Sequence, residues 1–177
     1  MRRLTTILAA DVVGYSRLMA ADEAGTLAAL KALRSELIEP KAAEYRGRVV
    51  KLMGDGTLME FASVVDAVRF AVDVQRAVAA DHADTPEHRR LAFRIGINVG
   101  DVIVEGDDIY GDGVNVAARL EGLAEPGGIC VSGTVFDHVK GKVDLEFADQ
   151  GLQLRLQRVR RRLAVDLLAA DVDREGL

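Results

Sequence analysis

The fold of this chain is decided by the stretch Arg48–Phe61, which reads RVVKLMGDGTLMEF. Two apolar runs flank the glycine-rich turn Gly54-Asp55-Gly56. An Asp-Gly pair between two such runs is typical of a β-hairpin, because these residues readily adopt the positive φ angles of tight hairpin turns. The sequence therefore predicts strands at Arg48–Met53 and Thr57–Phe61, joined by this turn.

Strand-like and helix-like patterns continue on both sides of the hairpin. Leu4–Val13 predicts a buried strand, followed by a long helix that Asp22 caps and that Pro40 kinks or ends. Ser63 predicts the start of a second helix. The later elements are expected as two strands within Leu91–Val104 with a turn near Gly100-Asp101, an acidic loop at Glu105–Asp108, a helix at Val114–Leu123, a strand at Ile129–Val131, a short helix at Thr134–Val139 and a strand at Val143–Phe147. The order predicts an α+β fold, with a ferredoxin-like βαββαβ core, helices packed on a mainly antiparallel sheet, and extra C-terminal elements.

Composition narrows the functional classes. The chain has 177 residues, a net charge of −5 and 49% hydrophobic residues, which fits one globular domain and gives no basic face for nucleic acid. The single cysteine, Cys130, excludes an internal disulfide and a thiolate zinc site. Asp11 interrupts the apolar stretch near the start, which argues against a secretory signal. The stretch is also far shorter than the roughly 20 apolar residues of a membrane span. We expect a cytoplasmic protein with no membrane span and no nucleic-acid partner.

Several polar residues do not fit a purely structural pattern. Asp11 ends an apolar strand, so it either binds a cation or a partner, or caps the helix that follows. Asp55 is either an ordinary turn residue or a ligand-binding one. Asn115 and Arg119 share one helix face, which is either plain solvated surface or a site for an oxyanion. Two carboxylates without His or Cys partners suit Mg²⁺ or Mn²⁺. These residues alone predict a domain that binds Mg²⁺ and phosphate, and they leave an unrelated Mg²⁺-dependent phosphohydrolase open.

Four segments, taken in order, resemble the class III nucleotidyl cyclase catalytic domain, the family of adenylate and guanylate cyclases. They are Ala10–Ser16, Val50–Gly56, Arg94–Gly100 and Asp108–Leu120. The resemblance implies a catalytic domain over residues 1–150 and a divergent C-terminal strand, helix or tail over 151–177. In that tail, Gly151–Arg162 permits a strand whose Arg155 or Arg158 replaces the family's basic triphosphate residue, and Leu163–Val172 is expected as a helix or a dimerisation appendage.

The resemblance also implies a role for each matching residue. Asp11 and Asp55, with the carbonyl of Val12, match the ligands of two Mg²⁺ or Mn²⁺ ions. Arg119 matches the residue that stabilises charge on the α-phosphate, Asn115 the residue that orients the ribose, and Arg94 a residue that contacts the triphosphate. The backbone N–H groups of Val13–Ser16 are implied to bind the phosphates, with Gly14, Tyr15 and Ser16 as the substrate-binding positions.

Base choice is implied by Lys51 and Asp108, which match the family's adenine-reading pair. The resemblance therefore favours ATP as substrate and 3′,5′-cyclic AMP as product, at active sites shared within a homodimer. The alternatives are a guanylate or relaxed-specificity cyclase, and a catalytically silent module of the same fold that dimerises or senses nucleotide.

Overall fold

The computed structural model describes residues 1–145, together with the backbone of three short strands at 148–149, 153–156 and 165–168. The strands are β1 (Arg2–Val12), β2 (Gly47–Met53), β3 (Gly56–Phe61), β4 (Phe93–Glu105), β5 (Asp108–Tyr110), β6 (Ile129–Ser132), β7 (Ala148–Asp149), β8 (Gln153–Leu156) and β9 (Val165–Leu168). The α-helices are α1 (Tyr15–Ala21), α2 (Glu23–Leu33), α3 (Glu39–Glu44), α4 (Val64–Asp81), α5 (Asp112–Leu123) and α6 (Gly133–Val139). A π-helical segment, Arg34–Ile38, joins α2 to α3, and a 3-10 turn spans Glu87–Arg89.

The strands form a single sheet in the order β2-β3-β1-β4-β6-β9-β7-β8, and β5 pairs with the end of β4. The centre is antiparallel: β1 pairs with β3 on one side and with β4 on the other, from Arg2 opposite Ile103 to Val12 opposite Phe93. Strands β4, β6 and β9 run parallel. The α+β class and the mainly antiparallel sheet predicted from the sequence are confirmed.

Strict alternation along β4 builds two different faces. Phe93, Ile95 and Ile97 join the larger core, which also contains buried residues of α2, α4 and α6. The intervening residues face α5, and two of them are glycines. A Cβ atom on Gly96 would lie 2.3 Å from the Ala117 carbonyl oxygen, so α5 packs directly against the strand backbone. Helix α5 therefore lies on the sheet face opposite α4.

Two sequence predictions about β4 and the loop after it are wrong. The packing of α5 on β4 explains why the predicted turn near Gly100-Asp101 is absent. Residues 93–105 form one strand rather than two, without a turn near Gly100-Asp101. The small residues that suggested a turn instead make room for α5, since a Cβ atom on Gly100 would lie 2.9 Å from the Gly113 Cα atom. The acidic loop is also shorter than predicted, because Asp108 already begins β5.

The C-terminal predictions have mixed outcomes. No strand covers 143–145, and 146–147 lie outside the described residues. A strand does form within Gly151–Arg162, at Gln153–Leu156. The helix expected over Leu163–Val172 is wrong for its central part, where Val165–Leu168 is a strand. The side chains of Arg155 and Arg158, and the proposed dimerisation role of this segment, lie outside the described residues.

Helix starts agree with the capping patterns. The Asp22 carboxylate accepts the Gly25 N–H at the start of α2, and the Ser63 hydroxyl accepts the Asp66 N–H at the start of α4. Helix formation continues past Pro40, which lies in the first turn of α3 after the π-helical segment. Within the described residues, no helix combines the length and the apolar character needed to cross a bilayer.

Candidate active site

Two aspartates meet where β1 ends beside the β2–β3 turn. Asp11 is the penultimate residue of β1, and Asp55 lies in the turn Gly54-Asp55-Gly56. The Oδ2 atom of Asp55 accepts a hydrogen bond from the Val12 N–H at 3.2 Å, which fixes the turn against the end of β1. Helix α1 begins at Tyr15, with Gly14 as its N-cap residue and no side-chain cap hydrogen bond, so the interpretation of Asp11 as a helix cap is wrong.

Asp11 lies in a cluster of half-buried charged residues that sequence reasoning missed in part. Arg94 is its partner in the β1–β4 ladder, and Glu121 reaches the cluster from α5. Burial first, and then hydrogen bonding to Asp11, raise the pKa of Glu121 to about 8, while Arg94 opposes the shift. Glu121 carries the only strongly raised carboxyl pKa among the described residues; its signal in the sequence is its spacing, four residues after Ala117 on the sheet-facing side of α5.

Three atoms in this cluster lack hydrogen-bond partners among the described residues although they are buried: Asp11 Oδ1, Glu121 Oε1 and Arg94 Nε. Buried polar atoms are costly unless they are satisfied, so the cluster is set up for additional ligands. Asp11 and Asp55 supply hard oxygen atoms, which suit Mg²⁺ or Mn²⁺.

The site does not form an all-protein metal cage. Across the described part of the chain, no group of three or more His, Cys, Asp or Glu side chains is placed to hold a metal ion. Mg²⁺ usually binds through one or two carboxylates together with water and substrate phosphates. Asp11, Asp55 and the carbonyl of Val12 therefore fit Mg²⁺ that binds with a phosphate-bearing substrate.

A second polar cluster joins β2 to β5. Lys51 Nζ lies 2.9 Å from Asp108 Oδ1 and 3.0 Å from Oδ2, and it sits 4.7 Å from the centre of the Tyr110 ring. Hydrogen bonds from Lys51 and then from Tyr110 lower the pKa of Asp108, so this carboxyl is ionised at neutral pH. Both Lys51 and Asp108 are 30% exposed, which leaves their polar atoms accessible to a ligand.

Arg48 makes two hydrogen bonds next to this second cluster. Its Nε donates to Glu60 on β3 at 3.0 Å, and its Nη1 donates to the Asp107 carbonyl at 2.9 Å. One guanidinium thus ties β2, β3 and the segment before β5 together. The relative positions of Lys51 and Asp108 depend on this tie.

The third group lies on α5. Asn115 and Arg119 are both exposed, and neither side chain makes a hydrogen bond or ion pair with another described residue. The sheet-facing positions Gly113, Ala117 and Leu120 are buried, so the other side of the helix presents Asn115 and Arg119 to solvent. They point away from the cluster around Asp11, which Glu121 meets from the buried side.

The loop before α1 offers fewer donors than expected. The Val13 N–H already donates to the Ala92 carbonyl at 2.8 Å, so the expectation that Val13 presents its N–H to phosphate is wrong. Gly14, with φ +66°, and Ser16 are exposed, while Tyr15 packs its ring against the core.

Comparison with known proteins assigns the family. The sequence model described as the adenylate and guanylate cyclase catalytic domain matches residues 3–155. The chain belongs to this family. A protein of Rhizobium meliloti (strain 1021), named "Putative adenylate cyclase 3", is 51% identical over 150 residues, which are 85% of this chain and 26% of that protein. The chain therefore spans about a quarter of that curated relative (26%).

Solved structures give the same picture. An adenylate/guanylate cyclase/hydrolase from Silicibacter pomeroyi is 46% identical, with a TM-score of 0.81 and coverage of 92% of both chains. An adenylyl cyclase from P. aeruginosa is 24% identical, with a TM-score of 0.74 over 91% of this chain and 97% of that one, and this second likeness concerns the fold alone.

Within this cyclase domain, the residues singled out from the sequence fall into three separate places. Asp11, Asp55 and Arg94 meet at the end of β1. Lys51 and Asp108 meet between β2 and β5. Asn115 and Arg119 stand on the outer side of α5. A single copy of the chain thus gathers these residues into three groups on different elements.

Proposed function

We propose that this chain is an adenylate cyclase that converts ATP to 3′,5′-cyclic AMP and pyrophosphate, with Mg²⁺ or Mn²⁺, at sites shared between two copies. The observation that carries the proposal is the Lys51–Asp108 pair, which sets one donor and one ionised acceptor side by side beside the exposed Tyr110. The family supplies the reaction, and this pair supplies the choice of base.

Base choice follows from hydrogen-bond polarity. Adenine presents an acceptor at N1 and donors on its 6-amino group, which suit the Lys51 ammonium and the Asp108 carboxylate respectively. Guanine presents an O6 acceptor and an N1–H donor, so O6 would face the Asp108 carboxylate. Two buried acceptors in contact cost more free energy than a missing hydrogen bond. This arrangement supports ATP over GTP.

The residues around Asp11 prepare the phosphate end of the site. Asp11, Asp55 and the Val12 carbonyl would hold two divalent ions, which supply the positive charge that activates the ribose 3′-hydroxyl and stabilises the leaving pyrophosphate. Arg94, whose buried Nε has no hydrogen-bond partner among the described residues, would bind triphosphate oxygens beside Asp11. The 3′-oxygen attacks the α-phosphorus, the bond from that phosphorus to the oxygen bridging to the β-phosphorus breaks, and pyrophosphate leaves.

The α5 pair completes the site from a second copy. Asn115 would orient the ribose, and Arg119 would stabilise the charge that develops on the α-phosphate. Loss of such a charge-stabilising donor lowers kcat by about 10²–10³-fold. Because both side chains are exposed and unpaired in the described part of one copy, a head-to-tail homodimer with two equivalent sites is the arrangement we propose.

The test is direct identification of the product. Purified protein is incubated with ATP or GTP, in Mg²⁺ and in Mn²⁺, at several protein concentrations, and the nucleotides are separated by chromatography and identified by mass. We expect cyclic AMP from ATP, with specific activity rising with protein concentration. Cyclic GMP as the main product would overturn the roles of Lys51 and Asp108, and no cyclic product from folded protein would favour the silent module.

A further inference from the structure

We propose that Arg34 is a positioning residue for the turn that carries Asp55: it holds this turn so that the Asp55 carboxylate is aimed before any metal ion binds. The inference rests on the proposed function, because that function gives Asp55 its role as a metal ligand. Arg34 lies outside every segment that carries the family resemblance.

The contact itself is direct. Arg34 Nη2 donates to the Gly54 carbonyl oxygen at 2.9 Å, across 20 residues of sequence. Gly54 has φ +60°, and an added Cβ atom there would meet nothing within 4 Å. The tip of the turn therefore has little packing of its own around Gly54, and hydrogen bonds hold it in place.

The described hydrogen bonds fix the turn from two sides. From the sheet, the last β2–β3 partners are Met53 and Gly56, and the Val12 N–H donates to Asp55 Oδ2. From the helix layer, the hold on the carbonyl next to Asp55 comes from Arg34. Removing the contact on either side increases the motion of the carboxylate, which weakens a site that depends on preorganised charge.

The helical segment that carries Arg34 packs against the main core. It is the first residue of the π-helical segment Arg34–Ile38, and Ile38 at the end of that segment is buried in the main core. Leu33 and Leu37 also pack against this core. A π-helical turn inside a longer helix is uncommon and frequently marks a functional position, because it redirects side chains at the cost of regular hydrogen bonding.

The contact is also poorly suited to a purely stabilising role. Arg34 Nε is buried and has no hydrogen-bond partner among the residues that the structure describes. Burying such a donor costs free energy, whereas an apolar side chain of similar length would avoid that cost. An arginine that bears this cost while bonding to the turn of Asp55 is explained by positioning rather than by stability.

The experiment compares wild-type protein with Arg34→Met, which keeps the length and loses the donor, and with Arg34→Lys, which keeps a cationic donor. Lys31→Met is the matched control, since Lys31 is an exposed cation on the preceding turn of the same helix. Amide hydrogen exchange of peptides covering residues 52–58, measured without any metal, reports how strongly the backbone of the turn is restrained. Mn²⁺ affinity is then measured by electron paramagnetic resonance, with Mn²⁺ alone and with Mn²⁺ plus inorganic triphosphate, because the site is expected to bind the ion together with phosphate oxygens.

We expect Arg34→Met to speed exchange in the turn and to weaken Mn²⁺ binding by about tenfold, the size expected for one lost hydrogen bond to a charged donor. Arg34→Lys should recover part of both effects, and Lys31→Met should show neither. Unchanged exchange in Arg34→Met would overturn the inference, as would faster exchange with unchanged Mn²⁺ affinity.

The outcomes separate this inference from the proposed function. Wild-type protein that binds Mn²⁺ but forms no cyclic nucleotide would overturn the cyclase proposal and leave the role of Arg34 standing. Wild-type protein that binds no Mn²⁺, either alone or with inorganic triphosphate, would overturn both the metal role of Asp55 and the inference. The inference alone would be overturned if the wild-type protein forms cyclic AMP and the Arg34→Met variant has the same hydrogen exchange and Mn²⁺ affinity as wild type.

Discussion

Lys51 on β2 and Asp108 on β5 are joined side chain to side chain, with Nζ within 3.0 Å of both carboxylate oxygens, although 57 residues separate them in the chain. Pairing of β5 with β4 places Asp108 near β2, and Arg48, on the same strand as Lys51, also donates to the carbonyl of Asp107, the neighbour of Asp108. The pair is thus part of the fold of a single copy, and in the function we propose its polarity would decide which purine base the site accepts.

The first prediction concerns that polarity. Replacing the pair by Lys51→Glu with Asp108→Cys reverses the donor and the acceptor, so kcat/KM for ATP should fall by about 10²-fold while that for GTP rises. Steady-state kinetics with both nucleotides measures the ratio. Lys31→Met, an exposed lysine on α2, is the control for loss of charge. A variant with unchanged preference would show that these residues do not read the base.

The second prediction concerns Asp55. In Asp55→Asn the side-chain oxygen still accepts the Val12 N–H, so the turn should keep its shape and the melting temperature should stay near that of wild type. The lost charge should lower kcat/KM by about 10²–10³-fold. Activity is measured over a range of Mn²⁺ concentrations, with Asp107→Asn as the control at an exposed aspartate of a neighbouring loop. Full activity in Asp55→Asn would contradict the metal role.

The third prediction tests the contact between α5 and β4. A Cβ atom on Gly96 would lie 2.3 Å from both the Ala117 oxygen and the Glu121 nitrogen, so Gly96→Ala must push α5 outward. We expect a loss of about 2–4 kcal/mol in the free energy of unfolding. Gly122→Ala, on the open side of the same helix, should instead gain roughly 0.5–1 kcal/mol. Equal effects of the two substitutions in denaturant unfolding would refute the close packing.

The fourth prediction concerns pH and Glu60. Burial alone would raise the pKa of Glu60, but hydrogen bonds from Arg3, Thr5 and Arg48 outweigh it and hold the pKa below its usual value. A carboxyl with a lowered pKa stabilises the folded state above the unfolded pKa, and this stabilisation disappears as pH falls through the folded pKa.

Glu60→Gln should therefore cost about 2 kcal/mol at pH 7 and less near pH 3, which lies below the ordinary pKa of 4.5. Urea unfolding at both pH values measures the difference. Glu39→Gln, at an exposed position of α3, should show no such pH dependence. A cost for Glu60→Gln that is the same at both pH values would contradict the ion-pair account.

Much of the fold could be predicted from local patterns. The β2–β3 hairpin, the Asp22 and Ser63 caps and the buried strand β1 depend on short-range chemistry, which the sequence displays directly. The single strand β4 could not be predicted in this way. Its small residues suggested a turn, and only the packing of α5 over Gly96 explains why an extended strand needs them there.

The candidate site was predictable only where a motif marked it. The pairs Asp11–Asp55 and Lys51–Asp108 come from segments that resemble the family, and the structure places the members of each pair close together. Glu121 and Arg34 carry no such mark, because their importance arises from contacts across the fold. Long-range contacts of this kind depend on how α5 and the π-helical segment sit against the sheet.

The most direct test of the central account is a mixing experiment with two inactive variants, Asp55→Asn and Arg119→Ala. If each site takes Asp55 from one copy and Arg119 from the other, a mixed dimer has one intact site. An equal mixture should then recover about a quarter of wild-type cyclic AMP formation from ATP, since about half of the dimers are mixed and half of their sites are intact. A mixture as inactive as its components, beside active wild-type protein, would contradict a site shared between two copies.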